Sequence, residues 1–462
     1  MYKDNPDGTI AAVSTPIGEG GIGIVRLSGP EALKIANEIF VSKNCGKPSQ
    51  YETYTTHYGR IVNDSRYIDE VLLTVMKAPK SYTKEDIVEI NCHGGIQAVR
   101  KVLELVVKCG ARIAEPGEFT KRAFLNGRID LAQAEAVLDV VRAKTEASLK
   151  VAVSQLEGSV SKVVTEIRER IIDIASQIEA SIDFPEEELE IVEEGRLVKK
   201  VEDILAELKA LIDTSSDGII LREGILATIC GKPNTGKSSL MNLLLKRDRV
   251  IVTPIPGTTR DAVEEMINLK GIPVRLVDTA GIAKTEDILE GEGIRKSKGY
   301  LELADLVLLV LDAATGIDRE DEDIIRLIAD RKKLVIINKI DLAKKIDKAR
   351  IGKIFKEDPI VEISVKEKRN IKLLERRILE TVWSGDFNQG EGAIVTNARH
   401  KTALDRSYEN MLSVKRGLKN VVSPELIAID LKEAILNLGT IVGKSVSEDI
   451  LDRIFENFCI GK

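Results

Sequence analysis

The distribution of apolar positions changes character three times along the chain. Through about residue 125, short β-rich runs separated by glycine turns, TIAAVSTP, GIGIVRLSG, EVLLTVMKAP and DIVEINCHGG, lead to one run with helical spacing, IQAVRKVLELVVKCGA. Strands in excess of helices predict an α+β domain. From about Leu131 to Phe184 apolar residues recur three and four apart, as in LAQAEAVLDVVRAKTEASLKVAVSQL and VVTEIRERIIDIASQIEASI, which predicts long helices. The acidic PEEELEIVEEGR interrupts them and reads as a solvated helix start ahead of LVKKVEDILAELKALI. Between about 223 and 380 strand and helix patterns alternate: GILATIC, SSLMNLLLKR, VRLVDTAG, DLVLLVLDA, EDIIRLIAD, KLVIINKID, IVEISVK and IKLLERRILETV. That is the rhythm of a doubly wound α/β domain. After Trp383 a glycine-rich link, SGDFNQGEGA, returns to helical patterns in NARHKTALDRSYENMLSVKRGL, PELIAIDLKEAILNLG and EDILDRIFENF. Ser423 with Pro424 reads as a cap and first turn, and Ser445 with Glu448 as a capping box.

Neither helical set alone makes a complete bundle, so the simplest architecture inserts the α/β domain into a discontinuous helical domain. The expected boundaries are 1–125 for the N-terminal α+β domain, 126–222 and 384–462 for the two helical parts, and 223–383 for the insert. A length of 462 residues suits roughly three domains. Composition narrows the partners: 43% apolar and 31% charged residues fit a folded, water-exposed protein, and a net charge of −6 argues against a broad basic face for nucleic acid. A local RNA contact stays open. The polar start MYKDNPDGTI is not expected to act as a secretory signal. The longest apolar run, LADLVLLVLDAA, falls short of the roughly 20 residues that span a membrane, so a cytoplasmic protein with no membrane partner is expected. Five scattered cysteines, without a C-x-x-C pair, and three histidines suggest neither a disulfide framework nor a zinc site. Cys45, Cys92, Cys109 and Cys230 are expected to be reduced and buried.

The chemistry concentrates in the α/β segment. Gly231 to Ser238, GKPNTGKS, matches G-x-x-x-x-G-K-[ST] between a strand pattern and a helix pattern. Gly236 lets backbone amides wrap phosphates, Lys237 reaches the outer ones, and Ser238 offers a hydroxyl to Mg2+. DTAG, Asp278 to Gly281, ends an apolar strand where a carboxylate supports magnesium and a glycine amide meets the terminal phosphate. NKID, Asn338 to Asp341, ends another, and the Asp341 carboxylate can accept two hydrogen bonds from a guanine edge that adenine cannot supply. Ser364, Val365 and Lys366 complete the base side. In TPIPGTTRD, Thr259 is assigned to magnesium. The expected GTP-contacting set is therefore Asn234, Thr235, Gly236, Lys237, Ser238 and Ser239; Thr253, Pro254, Ile255, Pro256, Gly257, Thr258 and Thr259; Asp278, Thr279, Ala280 and Gly281; Asn338, Lys339 and Asp341; Ser364, Val365 and Lys366.

Ile282 follows DTAG where a Ras-like GTPase would carry glutamine, so water must be positioned otherwise. Glu290 is a candidate, with an exposed acidic loop as the competing reading. Asn234, with switch-loop carbonyls, could bind a monovalent cation where an arginine finger would act. GEGGIG, Gly18 to Gly23, leads into a strand pattern rather than a helix and reads as a turn, not a dinucleotide fingerprint. The terminal FCIGK is apolar up to Ile460, unlike an ordinary tail, and is expected to be tucked into the fold. Cys459 is a candidate for chemistry by location only.

The ordered set TIAAVSTPIGEGGIGIVRLSG, SYTKEDIVEINCHGG, EPGEFTKRAFLNGRIDLAQAEAV, GKPNTGKSSLMNLLL, IPGTTRD, DTAGI and FCIGK resembles, over the whole chain, the tRNA-modification GTPase family called MnmE or TrmE. The resemblance implies a multidomain α/β protein with an N-terminal tetrahydrofolate-binding and dimerisation domain and an inserted Ras-like P-loop GTPase domain. It implies a homodimer that, with the flavoprotein MnmG (GidA), places an aminomethyl or carboxymethylaminomethyl group on C5 of the tRNA wobble uridine. A tetrahydrofolate derivative, in the 5-formyl or 5,10-methylene form, would be the donor, held by Arg26, Glu89, Arg128 and Lys462. The same resemblance makes Asn234, Thr253, Ile255 and Thr258 ligands of K+, Ser238 and Thr259 ligands of Mg2+, and Glu290 the catalytic, water-positioning residue. Lys84 stands where the family usually has glycine, and Arg128 where lysine is common; arginine keeps the charge with another geometry. Two other readings of the sequence are a GTPase switch factor in ribosome assembly and a folate-dependent transferase that uses GTP only for regulation.

Overall fold

The computed structural model describes residues 8–43, 46–64, 66–183, 191–248, 264–278, 299–342, 345–383, 392–420 and 422–462. Two compact units result. The first comprises residues 1–138, 156–172 and 435–462, and the second residues 139–155 and 173–434.

The first unit is built on a seven-stranded sheet in the order β3-β4-β5-β6-β2-β1-β7. Its strands are β1 (Ile10–Val13), β2 (Gly23–Ser28), β3 (Phe40–Ser42), β4 (Thr55–Asn63), β5 (Arg66–Met76), β6 (Ile87–Cys92) and β7 (Arg112–Ile113). All neighbours are antiparallel except β1 and β7. Helices α1 (Ala32–Ile39) and α2 (Ile96–Lys108) place Ile35, Ile39, Val102 and Val106 among the buried strand residues Val25, Leu27, Leu73 and Ile90. Alternation along each strand sends every second side chain to that core. GEGGIG does lead into a strand, β2.

Helix α3 (Glu118–Leu125) begins after Gly117, whose φ of +68° is left-handed and costs glycine little. Lys121 on α3 pairs with Asp452 at 2.6 Å. Leu131, Ala134, Leu451, Phe455 and Phe458 form a second buried cluster. The C-terminal tail is only partly tucked in: Phe458 and Gly461 are buried, whereas Cys459 and Ile460 are exposed. Cys92 and Cys230 are buried as expected, Cys109 is half-buried at the C-terminus of α2, and Cys45 lies outside the described residues.

The helices α4 (Leu131–Arg142), α5 (Glu146–Leu156), α6 (Ser159–Asp183) and α7 (Ile191–Glu223) follow in the chain. Helix α7 starts within the acidic run and continues through DTSSDG, where the sequence pattern had stopped at Ile212. Thr214 and Ser215 turn their hydroxyls onto the carbonyls of Leu211 and Ile212, satisfying them within the helix. Gly218 lets α7 approach the backbone of Val395 so closely that any Cβ would overlap that carbonyl.

The second unit holds a six-stranded sheet ordered β13-β12-β11-β8-β10-β9. It contains β8 (Ile225–Cys230), β9 (Glu264–Leu269), β10 (Ile272–Asp278), β11 (Leu306–Asp312), β12 (Lys333–Asn338) and β13 (Ile360–Glu362). Only the edge strand β9 is antiparallel. Leu306, Leu308 and Val310 of β11 face one apolar cluster with α8 (Lys237–Asp248) and α11 (Ile371–Val382). Val307, Leu309 and Leu311 face the other, with α9 (Arg319–Leu327) and α10 (Lys348–Ile354) nearby. Burial on both faces explains why β8, β11 and β12 are mostly apolar without alternation.

Helices α12 (Ala398–Lys419), α13 (Pro424–Val442) and α14 (Glu448–Phe455) end the chain. Glu202 of α7 meets Lys415 and Lys419 of α12 at 2.9 and 3.4 Å. The expected capping box at Ser445 is replaced by a start at Ser447, which makes no side-chain cap bond; Ser445 instead packs its hydroxyl beside Gly439. Among the described residues no helix is long and apolar enough to cross a membrane.

Candidate functional site

The parallel strands of the second unit end on one side of the sheet, and the phosphate loop lies there between β8 and α8. Gly231 and Gly236 have φ of +142° and +99°, and Asn234 has +65°. Glycine carries the first two at no steric cost, and asparagine is among the residues that tolerate the third. Thr235 and Lys237 are buried. The Lys237 ammonium donates to the carbonyl of Lys232 at 2.8 Å, and the Thr235 hydroxyl to the same carbonyl at 3.1 Å.

Ser238 heads α8, and its Oγ donates to Asp278 Oδ2 at 2.9 Å. A hydroxyl and a carboxylate thus converge at the helix start, a hard-oxygen pair of the kind Mg2+ takes beside phosphates. Asp278 reaches that point because β10 is parallel to β8, with Asp278 opposite Ile229.

NKID sits at the end of β12. Asn338 is buried and donates from Nδ2 to the Thr235 carbonyl at 2.9 Å, while its Oδ1 accepts the Val365 N–H at 3.1 Å. Lys339, at φ +65°, donates to the Asn234 carbonyl and to Asp312 Oδ2, both at 2.7 Å. Asp341 accepts from the Ser364 hydroxyl at 2.5 Å, and that hydroxyl in turn accepts the Glu367 N–H. The Ser364 bond, working against partial desolvation, holds the Asp341 carboxyl below its usual range. An ionised carboxylate is therefore presented at the base side.

The fold brings Asn234, Thr235, Gly236, Lys237, Ser238, Asp278, Asn338, Lys339, Asp341, Ser364 and Val365 into one constellation. Ser239 follows on α8 and Lys366 follows Val365. Thr253, Pro254, Ile255, Pro256, Gly257, Thr258, Thr259, Thr279, Ala280, Gly281 and Glu290 lie outside the described residues. Asp312 was not singled out in the sequence; the only signal for it is an aspartate closing the apolar run LVLLVLD.

In the first unit, Arg26 and Glu89 face each other across β2 and β6 and pair at 2.7 Å. Arg26 also donates to the Gly461 carbonyl at 3.1 Å, as does the Ser14 hydroxyl at 3.2 Å. Gly461, at φ +92°, sits against the backbone of Val13 and Ser14 too tightly for a Cβ. The terminal FCIGK is thereby fastened beside Arg26. Arg26 lies over the Phe119 ring, and Arg128 over Tyr82 at 4.7 Å. The Tyr82 hydroxyl contacts Thr120, and Lys84 donates to the carbonyl of Gly127, next to Arg128. Lys462 is fixed through its backbone N–H to the Cys459 carbonyl.

Comparison with known proteins identifies the family. Residues 9–128 match the family model described as GTP-binding protein TrmE N-terminus, and residues 131–459 match the MnmE helical domain. The tRNA modification GTPase MnmE of Carboxydothermus hydrogenoformans is 49% identical over 98% of this chain and 99% of its own length. Its namesake in Clostridioides difficile is 47% identical over 99% of each chain. That of Alkaliphilus oremlandii is 47% identical over the full length of both. The chain belongs to the MnmE (TrmE) family of tRNA modification GTPases and is a GTP hydrolase.

Proposed function

We propose that this GTP hydrolase is activated by potassium and, as a cytoplasmic homodimer working with the flavoprotein MnmG, drives tetrahydrofolate-dependent addition of an aminomethyl or carboxymethylaminomethyl group to C5 of the tRNA wobble uridine. The observation that carries the reading is the fastening of the FCIGK tail at Gly461 to Arg26, itself paired with Glu89. A carboxylate and two guanidiniums beside Phe119 and Tyr82 fit a folate: the carboxylate suits a pterin's donor edge, and the cations suit its glutamate tail. Arg26, Glu89, Arg128 and Lys462 would hold the group, which supplies the one-carbon unit.

On the nucleotide side, Ser238 and Asp278 fit magnesium, with Thr259 as a further ligand; the ion would supply positive charge to neutralise the phosphates. Asn234, exposed and in a left-handed conformation, is proposed with Thr253, Ile255 and Thr258 as the potassium site, and Glu290 as the residue that positions water. GTP turnover that is equal in sodium and potassium would remove the potassium part of the proposal.

The test of the whole is to delete the gene in its host and quantify C5-modified uridines in digested tRNA. Their loss, restored by the wild-type gene and not by Glu290→Ala, is the expected result. Unchanged uridines would overturn the reading in favour of a switch factor in ribosome assembly, visible as altered ribosome profiles.

A further inference from the structure

The motif G-x-x-x-x-G-K-[ST] places no demand on its second residue, yet Lys232 is one of the most heavily engaged side chains of the nucleotide site. Its Nζ lies 2.6 Å from Asp318 Oδ2 and 2.9 Å from Asp321 Oδ2, and the lysine side chain is only 11% exposed. Those two carboxylates already form a reciprocal capping box at the start of α9, each accepting the other's backbone N–H. The N-terminus of a helix is stabilised by such carboxylates without any lysine. The ammonium is therefore surplus to the cap and bears on the loop it comes from.

Lys232 acts there through its backbone. Its carbonyl is the acceptor for both Lys237 and Thr235. On its other side Gly231 abuts the Val310 carbonyl so closely that no side chain fits. The connection between β11 and α9, Asp312 to Asp318, thus grips the loop twice: Asp312 through Lys339 to the Asn234 carbonyl, and Asp318 through the side chain of Lys232. Burial opposes the charge on Lys232, but Asp318 and Asp321 more than offset it and raise its pKa.

We propose that Lys232 is a positioning residue for nucleotide binding: its ion pairs with Asp318 and Asp321 fix the start of the phosphate loop before nucleotide arrives. Two consequences follow from removing it. The loop must be ordered at the moment of binding, which costs affinity. Two carboxylates, one of them buried, also lose the cation that balances them near a polyanionic ligand.

The experiment measures the affinity and release rate of fluorescent GDP, and kcat at saturating GTP, for Lys232→Met, Lys232→Arg, Asp318→Asn and the Lys232→Met/Asp318→Asn double variant of the full chain. Lys232→Met is expected to raise Kd and speed release about tenfold, with kcat changing less than Kd, while Lys232→Arg stays within about threefold of wild type. Because both residues act through one contact, the double variant should be no weaker than Lys232→Met alone. A Kd for Lys232→Met within about twofold of wild type overturns the proposal, as does full additivity in the double variant. Should Lys232→Met fail to fold, Asp318→Asn, at the more exposed end of the pair, carries the same test: unchanged GDP release there refutes the tether.

Discussion

Asn338 spans the nucleotide site, its amide nitrogen on the Thr235 carbonyl and its amide oxygen on the Val365 N–H. It is one side chain that ties the phosphate loop to the loop at the base side. Asn338→Ala takes the partner from the buried Thr235 carbonyl, at about 1–3 kcal/mol, and from the half-buried Val365 N–H, at less. The expected result is a lower denaturation midpoint together with weaker GDP binding. Asn338→Asp keeps the acceptor for Val365 but turns a carboxylate oxygen on the buried Thr235 carbonyl, so it should also be destabilised and bind GDP weakly.

Asp341 depends on Ser364. The hydroxyl favours the ionised carboxylate, so the folded-state pKa is depressed and the charge survives as pH falls through the ordinary carboxylate range. Stability linked to this group, and the guanine affinity proposed for it, are present above the unfolded pKa and are lost only as pH falls through the lower folded value. Ser364→Ala removes the favouring bond and should move the acid limb of GDP affinity to higher pH. Titrating GDP binding from neutral pH down to about 3.5 checks this, because that range crosses the value near 3.9 at which an ordinary aspartate titrates. Superimposable limbs would contradict it.

Lys84 occupies a left-handed backbone conformation, φ +61°, which favours glycine, and its ammonium donates to the carbonyl of Gly127. A non-glycine residue there carries about 1 kcal/mol of steric cost. Lys84→Ala retains the cost and loses the bond, whereas Lys84→Gly loses both. Urea unfolding should therefore rank the glycine variant above the alanine variant by up to about 1 kcal/mol, despite the greater freedom of glycine in the unfolded chain.

Gly218 is the close-approach point of α7. Alanine has the better helix propensity by about 1 kcal/mol. Its methyl would meet the Val395 carbonyl, and overpacking of this kind costs about 1–3 kcal/mol. Gly218→Ala is thus expected to destabilise, and a raised melting temperature would show that the segment at Val395 can move aside.

The nucleotide site was legible because its parts are short motifs at the ends of mostly apolar strands, where chain order alone implies a parallel sheet. Strand β9 escaped notice because an edge strand buries one face, so EEMINL shows only Ile267 and Leu269 as core residues. Helix α7 outran its pattern because DTSSDG looks like a turn until Thr214 and Ser215 bond back to their own helix and Gly218 meets Val395. The ties from Asp312 to Lys339 and from Asp318 to Lys232 join residues far apart in sequence, and only the strand order places them together. In the first unit, the tail was recognisable as unusual, but which residues anchor it followed from the register of β2 with β6 and from the left-handed turn at Gly461.

The return of the chain to Thr214 has a bearing on how the protein assembles. The Val395 N–H donates to the Thr214 hydroxyl at 3.1 Å, although the whole six-stranded sheet lies between them in sequence. Closing an unstructured loop of this length, a separation of 181 residues, would cost on the order of 4–5 kcal/mol in entropy. Once the sheet has folded, its own ends are held near each other, and α7 and α12 meet as if joined by a short turn. The expected order of assembly is the sheet first and the α7–α12 pair second, so any ligand that stabilises the folded sheet also favours the joining of the helices on either side of it.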